Sequence, residues 1–172
     1  MSVYERELRE ILAGNKEVIE KITRNLNEEE KKKYKEILKK PFITVRAAGS
    51  IGIADIVAMR GDISFIVEIK VRKEKEILFS HERGRMQRKA EEMKKKCKRS
   101  RILPIFAFRR KGIRGDAWRI FSMEIEGLEG KSKEIYDMLP KLEKSKDGNY
   151  IMRWEKGMKL ADFIKILSFF YL

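Results

Sequence analysis

Tyr4, Leu8, Ile11 and Leu12 recur at the three- and four-residue spacing of one helix face, which predicts an amphipathic helix over residues 3–13. Gly14-Asn15 breaks that pattern, and Val18, Ile19 and Ile22 predict a short second helix. Asn27 followed by Glu30 has the form of a capping box. The helix it opens should end near Lys39, because Pro41 biases Lys40 away from helical angles. The pattern then turns β-branched and apolar. Phe42–Ala48 reads as a strand, Gly49–Gly52 as a turn, and Gly52–Arg60 and Ile63–Arg72 as strands of a hairpin closed by Gly61-Asp62. Glycine at the first central position suits a type II′ turn.

Met86, Ala90, Met93 and Cys97 form an i, i+4, i+7, i+11 stripe, predicting a helix over about 82–98 with a narrow apolar face and charged flanks. Arg101–Phe108 is apolar enough for a central strand, and Asp116–Met123 is the next. Lys131–Met138 and Lys159–Phe169 read as helices, Tyr150–Trp154 as a strand. The alternation predicts an α/β single domain with a central mixed sheet flanked by helices.

Charge sharpens this picture. The 172-residue chain, enough for one domain with a sizeable core, has 42% hydrophobic and 40% charged residues and a formal net charge of +14. The excess is local: net charges are +2 over 1–40, +1 over 41–80, +11 over 81–114 and zero over 115–172. A solvated surface mixes signs more evenly, so the 81–114 stretch is expected to face a polyanion, nucleic acid ahead of an acidic membrane. A membrane binder would need bulky apolar anchors on the basic helix, where Met, Ala and Cys stand instead. The single cysteine, Cys97, excludes an intramolecular disulfide and a cysteine-based metal site. Met1–Glu10 has no secretory core and the tail "FIKILSFFYL" is too short to span a bilayer, so a cytoplasmic, nucleoid-associated location is expected, with no membrane partner.

The hairpin holds the chemistry. A two-residue turn at 61–62 pairs 60 with 63 and 59 with 64, which brings Asp55 opposite Glu68. Directly opposed side chains share a face with Cβ atoms about 4.5–5.5 Å apart. Lys70, two residues from Glu68, lies on the same face, while Ile63, Phe65, Val67, Ile69 and Val71 form an apolar row on the other. Opposed carboxylates repel unless compensated. Lys70 offsets part of the repulsion, and a divalent cation would offset more, since carboxylate oxygens are natural Mg²⁺ ligands. The alternative is a surface hairpin with a cross-strand salt bridge, and charge placement alone leaves both open.

The spacing of Asp55, Glu68 and Lys70 resembles the signature of the PD-(D/E)XK nuclease superfamily. Together, "YERELREIL", "VRAAGSIGIADIVA", "FIVEIKVRK", "DAWRIFSME" and the tail "GMKLADFIKIL" resemble the archaeal Holliday junction resolvase family. The resemblance implies a restriction-endonuclease-like fold and a homodimeric, Mg²⁺-dependent endonuclease that cuts four-way DNA junctions, with Mn²⁺ substituting and no organic cofactor. It implies Asp55 and Glu68 as metal-ligating carboxylates, Lys70 as the lysine that orients or activates water, and Glu5 as an additional catalytic, metal-binding glutamate, with Glu7 as the fallback. Arg46 and Ser50 match the family's R-x-x-G-S motif at the site. Gln87 resembles a glutamine that related nucleases place near the metal; a bordering surface glutamine is the alternative.

Expected DNA contacts are Arg46, Arg72, Lys73, Gln87, Lys94, Lys95, Lys98, Arg109, Arg110, Lys111 and Arg114. His81 fits a solvated loop better than a DNA contact, and Trp118 and Phe121 fit core or a dimer interface better than base stacking. Two stretches depart from the family pattern, about 15–40 and about 128–148. They leave two alternatives open: a related nuclease acting on another DNA structure, or a non-catalytic nucleic-acid-binding module with a nuclease-like core.

Overall fold

A computed structural model describes residues 2–47 and 54–169. Helices α1 (Val3–Leu12), α2 (Lys16–Thr23) and α3 (Glu28–Lys35) open the chain, each started by a side-chain cap: Ser2 on Glu5 N–H, Asn15 on Val18 N–H, Asn27 on Glu30 N–H. Of the expected capping box at Asn27 the forward half forms, and Glu30 Oε1 returns to the Asn27 side chain, accepting from Nδ2 at 2.9 Å, rather than to its backbone N–H. The 15–40 stretch is built into the body of the protein. It buries Ile19, Tyr34 and Ile37, and the Tyr34 hydroxyl donates to Asp116 at 2.8 Å while the other oxygen of Asp116 accepts from Ala161 N–H.

Strands β1 (Ile43–Arg46), β2 (Ile56–Met59), β3 (Ser64–Arg72), β4 (Glu76–Leu78), β5 (Leu103–Arg110), β6 (Trp118–Phe121), β7 (Glu143–Lys144), β8 (Tyr150–Arg153) and β9 (Met158–Lys159) are joined by α4 (Arg85–Ser100), α5 (Gly130–Met138) and α6 (Leu160–Ser168). The main sheet runs β1-β2-β3-β5-β6-β9, and a small second sheet runs β4-β8-β7. Among the described strands of the main sheet, only β3 and β5 pair in parallel, with α4 in the crossover between them; the other pairs are antiparallel, so the sheet is mixed as expected.

Helices cover both faces. On one, Phe65 of β3 sits between Phe42 and Phe163 of α6, with ring centroids 5.0 and 5.7 Å away. On the other lies α4, whose whole expected stripe, Met86, Ala90, Met93 and Cys97, is buried. Burial pushes the Cys97 thiol up to about 12, so it behaves as a small core hydrophobe. The β1–β2 end of that face lies open: Ile43 opposes Met59 across the ladder, and both are exposed, as is Val45.

The hairpin keeps the expected register, pairing Met59 with Ser64 and Ile56 with Val67. Its turn is two residues long, with Arg60 and Ile63 exchanging both backbone hydrogen bonds. It is not the expected type II′ turn, because neither Gly61 nor Asp62 takes a positive φ. A charged clamp closes it instead. Arg60 donates to both carboxylate oxygens of Asp62, at 2.6 and 2.9 Å, and to the Lys40 and Leu167 carbonyls, with its guanidinium over the Phe42 ring. Burial works to raise the Asp62 carboxyl, but the Arg60 hydrogen bonds and charge outweigh it and hold the group below its ordinary value.

Candidate active site

Asp55 stands just before β2, outside the ladder that ends at Ile56 and Val67, so it is not the directly opposed partner of Glu68 that the hairpin register predicts; two bonds tie it to β3 instead. Its N–H donates to Val67 O at 2.8 Å, and its side-chain Oδ2 accepts from Ile69 N–H at 2.7 Å. That second bond draws the carboxylate across to β3, beside Glu68. Glu68 lies at the middle of β3, opposite Phe106 of β5, and is only 4% exposed. Its surroundings are largely apolar: Phe79, Met86, Ala90, Met93 and Phe106 line a small pocket with Glu68, Lys70 and Lys89. Both faces of β3 are therefore buried at this point, because α4 lies over the acidic one.

Two ammonium groups reach Glu68 Oε1: Lys70 Nζ at 3.2 Å and Lys89 Nζ at 3.1 Å. Oε2 is buried and has no hydrogen-bond partner. Burial raises the Glu68 carboxyl above its ordinary value, the Asp55 charge adds to that, and Lys70 and Lys89 oppose it. A buried carboxylate oxygen without a donor is costly and uncommon. With a second carboxylate beside it, the arrangement fits a hard divalent cation, which accepts oxygen ligands and would satisfy both.

Glu5 does not complete a triad. Among the described residues no three His, Cys, Asp or Glu side chains gather as a metal-binding group. The acid that α1 turns toward the sheet is Glu7. Its Oε2 accepts from Arg109 Nε at 3.1 Å and Trp118 Nε1 at 2.7 Å. Arg109 is thereby tied to Glu7 and half-buried, with its guanidinium over the Tyr4 ring, rather than standing free for a phosphate. Trp118 and Phe121 are buried. Gln87 faces the small sheet: its amide oxygen accepts from Tyr150 N–H at 2.7 Å and its Nε2 donates to Glu91. Ser50 and the rest of the 49–52 turn lie outside the described residues.

The remaining expected cations divide between two places. Arg72, Lys73, Arg110 and Lys111 collect where the parallel strands β3 and β5 end. Lys111 N–H donates to Arg72 O, and Arg110 donates twice to Lys73 O. Lys94, Lys95 and Lys98 lie along α4, Lys98 3.8 Å from Glu126. Arg46 ends β1 and is exposed, and Arg114 is exposed in the β5–β6 loop. His81 is exposed and shares a cleft with Arg72 and Met86.

Lys89 is the residue that sequence reading missed. Its signal was its position three residues after Met86, on the border of the buried stripe and so turned toward the sheet. A wider cleft between α3 and α6 also contains acids, Glu29 and Glu36, but each is paired with a lysine, Lys33 and Lys39. No helix among the described residues is long and apolar enough to cross a membrane.

No family model and no curated protein sequence matches the chain. Among solved structures, the chain is similar to Archaeoglobus fulgidus Hjc, a Holliday junction resolvase from an archaeal hyperthermophile, with 20% sequence identity over 72% of this chain and 86% of that one and a TM-score of 0.49.

Proposed function

We propose that the protein is a Mg²⁺-dependent, structure-selective DNA endonuclease that resolves four-way junctions by paired phosphodiester hydrolysis. The observation that carries the reading is the buried, unpartnered Oε2 of Glu68 beside Asp55 and Lys70, at the middle of a strand whose carboxyl end carries Arg72 and Lys73. Asp55 and Glu68 would hold the cation. When bound, it would supply Lewis-acid polarisation of the phosphate and charge neutralisation. Lys70 positions the attacking water or donates to the phosphoryl oxygens as charge develops there. Ile69 N–H holds the Asp55 carboxylate in place throughout.

Arg72, Lys73, Arg110 and Lys111 next to the site, with Lys94, Lys95 and Lys98 on α4, would grip the sugar-phosphate backbone without reading sequence. A homodimer with two-fold symmetry would present two such sites for two symmetric cuts. The exposed apolar row of Ile43, Val45 and Met59 is surface available to the second copy.

The test is a cleavage panel of a four-way junction, a flap and a linear duplex at equal concentration, with Mg²⁺ and with EDTA. Cleavage of the junction alone, and only with Mg²⁺, is expected. Preferential cutting of linear duplex would retire the resolvase reading and leave the nuclease. Absence of cleavage on every substrate would favour a binding module. Junction affinity should fall about 10³-fold or more between 50 and 200 mM salt, the behaviour of a protein with six or more phosphate contacts, measured by fluorescence anisotropy. An affinity insensitive to salt would argue against the basic grip.

A further inference from the structure

Two ammonium groups converge on one oxygen of Glu68, and they are not equally held. Lys70 stands on β3, inside the sheet, with its side chain 19% exposed. Lys89 stands on α4 with its side chain 42% exposed. It follows Met86 by three residues and precedes Met93 by four, so its aliphatic stem runs along the buried stripe while its head reaches Glu68. A lysine in that position can return its ammonium to water by rotamer changes alone, with the helix and strands unmoved. Its nitrogen also occupies a place on Glu68 Oε1 that a cation bound by this carboxylate would contest.

We propose that Lys89 is a built-in counter-ion of the metal site. It holds the charge of Glu68 through Oε1 while no divalent cation is bound, its charge opposes a cation drawn to the unpartnered Oε2 of the same carboxylate, and the ammonium released from Oε1 turns to the phosphate of bound DNA. This rests on the reading of Asp55 and Glu68 as metal ligands. The consequence is a coupling. Without DNA, metal binding is weakened by an internal competitor; DNA phosphate takes up the competitor, so DNA and metal strengthen each other's binding by the same factor. A nuclease built this way is poorly loaded with metal until substrate arrives.

The experiment titrates the full chain with Mn²⁺, reading free Mn²⁺ by electron paramagnetic resonance, for wild type, Lys89→Met, Lys96→Met and Glu68→Ala. Methionine at 89 keeps the apolar stem over Met86 and Met93 and removes the charge. Lys96 is exposed on the same side of the helix, about two turns beyond Lys89, and controls for general electrostatics. Without DNA, Lys89→Met should bind Mn²⁺ about three- to tenfold more tightly than wild type, the range open to a partly exposed ion pair, and Lys96→Met should change affinity by less than about twofold. Adding a phosphorothioate four-way junction that resists cleavage should tighten Mn²⁺ binding in wild type and do so less in Lys89→Met. Equal Mn²⁺ affinities in wild type and Lys89→Met, with binding lost in Glu68→Ala, would overturn the counter-ion role and leave the metal centre standing. So would equal gains in the two lysine variants. Mn²⁺ binding that survives Glu68→Ala, or is absent from every form, would overturn both.

Discussion

Glu68→Ala is expected to lower Mg²⁺-dependent cleavage of the four-way junction on the order of 10³-fold or more while leaving junction affinity and protein stability nearly intact. The two halves of that expectation come from different parts of the site. Activity falls because the variant removes the carboxylate with the unpartnered oxygen, the group that the apolar pocket has left without a donor. Affinity persists because the phosphate-gripping cations lie at the ends of β3 and β5 and along α4, none of them dependent on Glu68. Stability persists because Glu68 is a poor structural residue. It is 4% exposed, one oxygen has no partner, and burial already disfavours its charge. Removing it relieves that cost and the lysine on α4 is exposed enough to return to water, which offsets the loss of Lys70's partner on β3, where that ammonium is 19% exposed. The unfolding free energy from urea titration should therefore stay within about 1 kcal/mol of wild type or rise. A variant that is inactive because it is unfolded would betray itself in the same measurement. Unchanged cleavage in a folded Glu68→Ala protein would remove Glu68 from the chemistry.

That separation of stability from function follows the line between what the sequence made legible and what it hid. Long periodic elements were legible: the α1 stripe, the α4 stripe and the β2–β3 register, because each has its side chains repeating at one period and one face to bury. The register in turn placed Asp55 and Glu68 on one side of the sheet. The small sheet was hidden, because β4 reads "EIL" in a charged run and β7 is the two-residue Glu143–Lys144, both too short for a period. Its pairing with β8 is a tertiary choice, and so is the consequence for Gln87, which serves Tyr150 N–H there. Arg109 was hidden for a related reason. A cation in a basic run reads as surface, and only the fold reveals Glu7, Tyr4 and Trp118 waiting around it. The turn at Gly61 misled because glycine permits a positive φ without requiring one. Lys89 shows the same limit from the other side: helical spacing placed it beside the stripe, but only the packing of α4 over β3 brought it to Glu68.

Asp62→Ala should do the opposite of Glu68→Ala: cost about 3 kcal/mol of stability, read from urea unfolding at pH 7, while touching no residue of the candidate chemistry. Asp62 and Arg60 have side chains only 6% and 3% exposed. Without Asp62 the Arg60 guanidinium keeps its bonds to the Lys40 and Leu167 carbonyls but loses its bidentate carboxylate, and it cannot swing out to water without breaking the rest. The pH dependence distinguishes this from simple loss of packing. The Asp62 carboxyl is held below its ordinary value in the folded protein, so its contribution is fully present above the unfolded value of about 4 and is lost as pH falls through the lower folded value. The stability difference between wild type and Asp62→Ala should therefore be flat from pH 8 to pH 5 and shrink below about 4. Asp62→Asn, which keeps the shape and loses the charge, should fall between the two proteins at pH 7 and show a smaller acid dependence against Asp62→Ala. A difference that persists unchanged into acid would assign the effect to packing at the turn. The expected acid-sensitive difference assigns it to the ion pair, which closes the hairpin at one end so that its register carries Asp55 to Glu68 at the other.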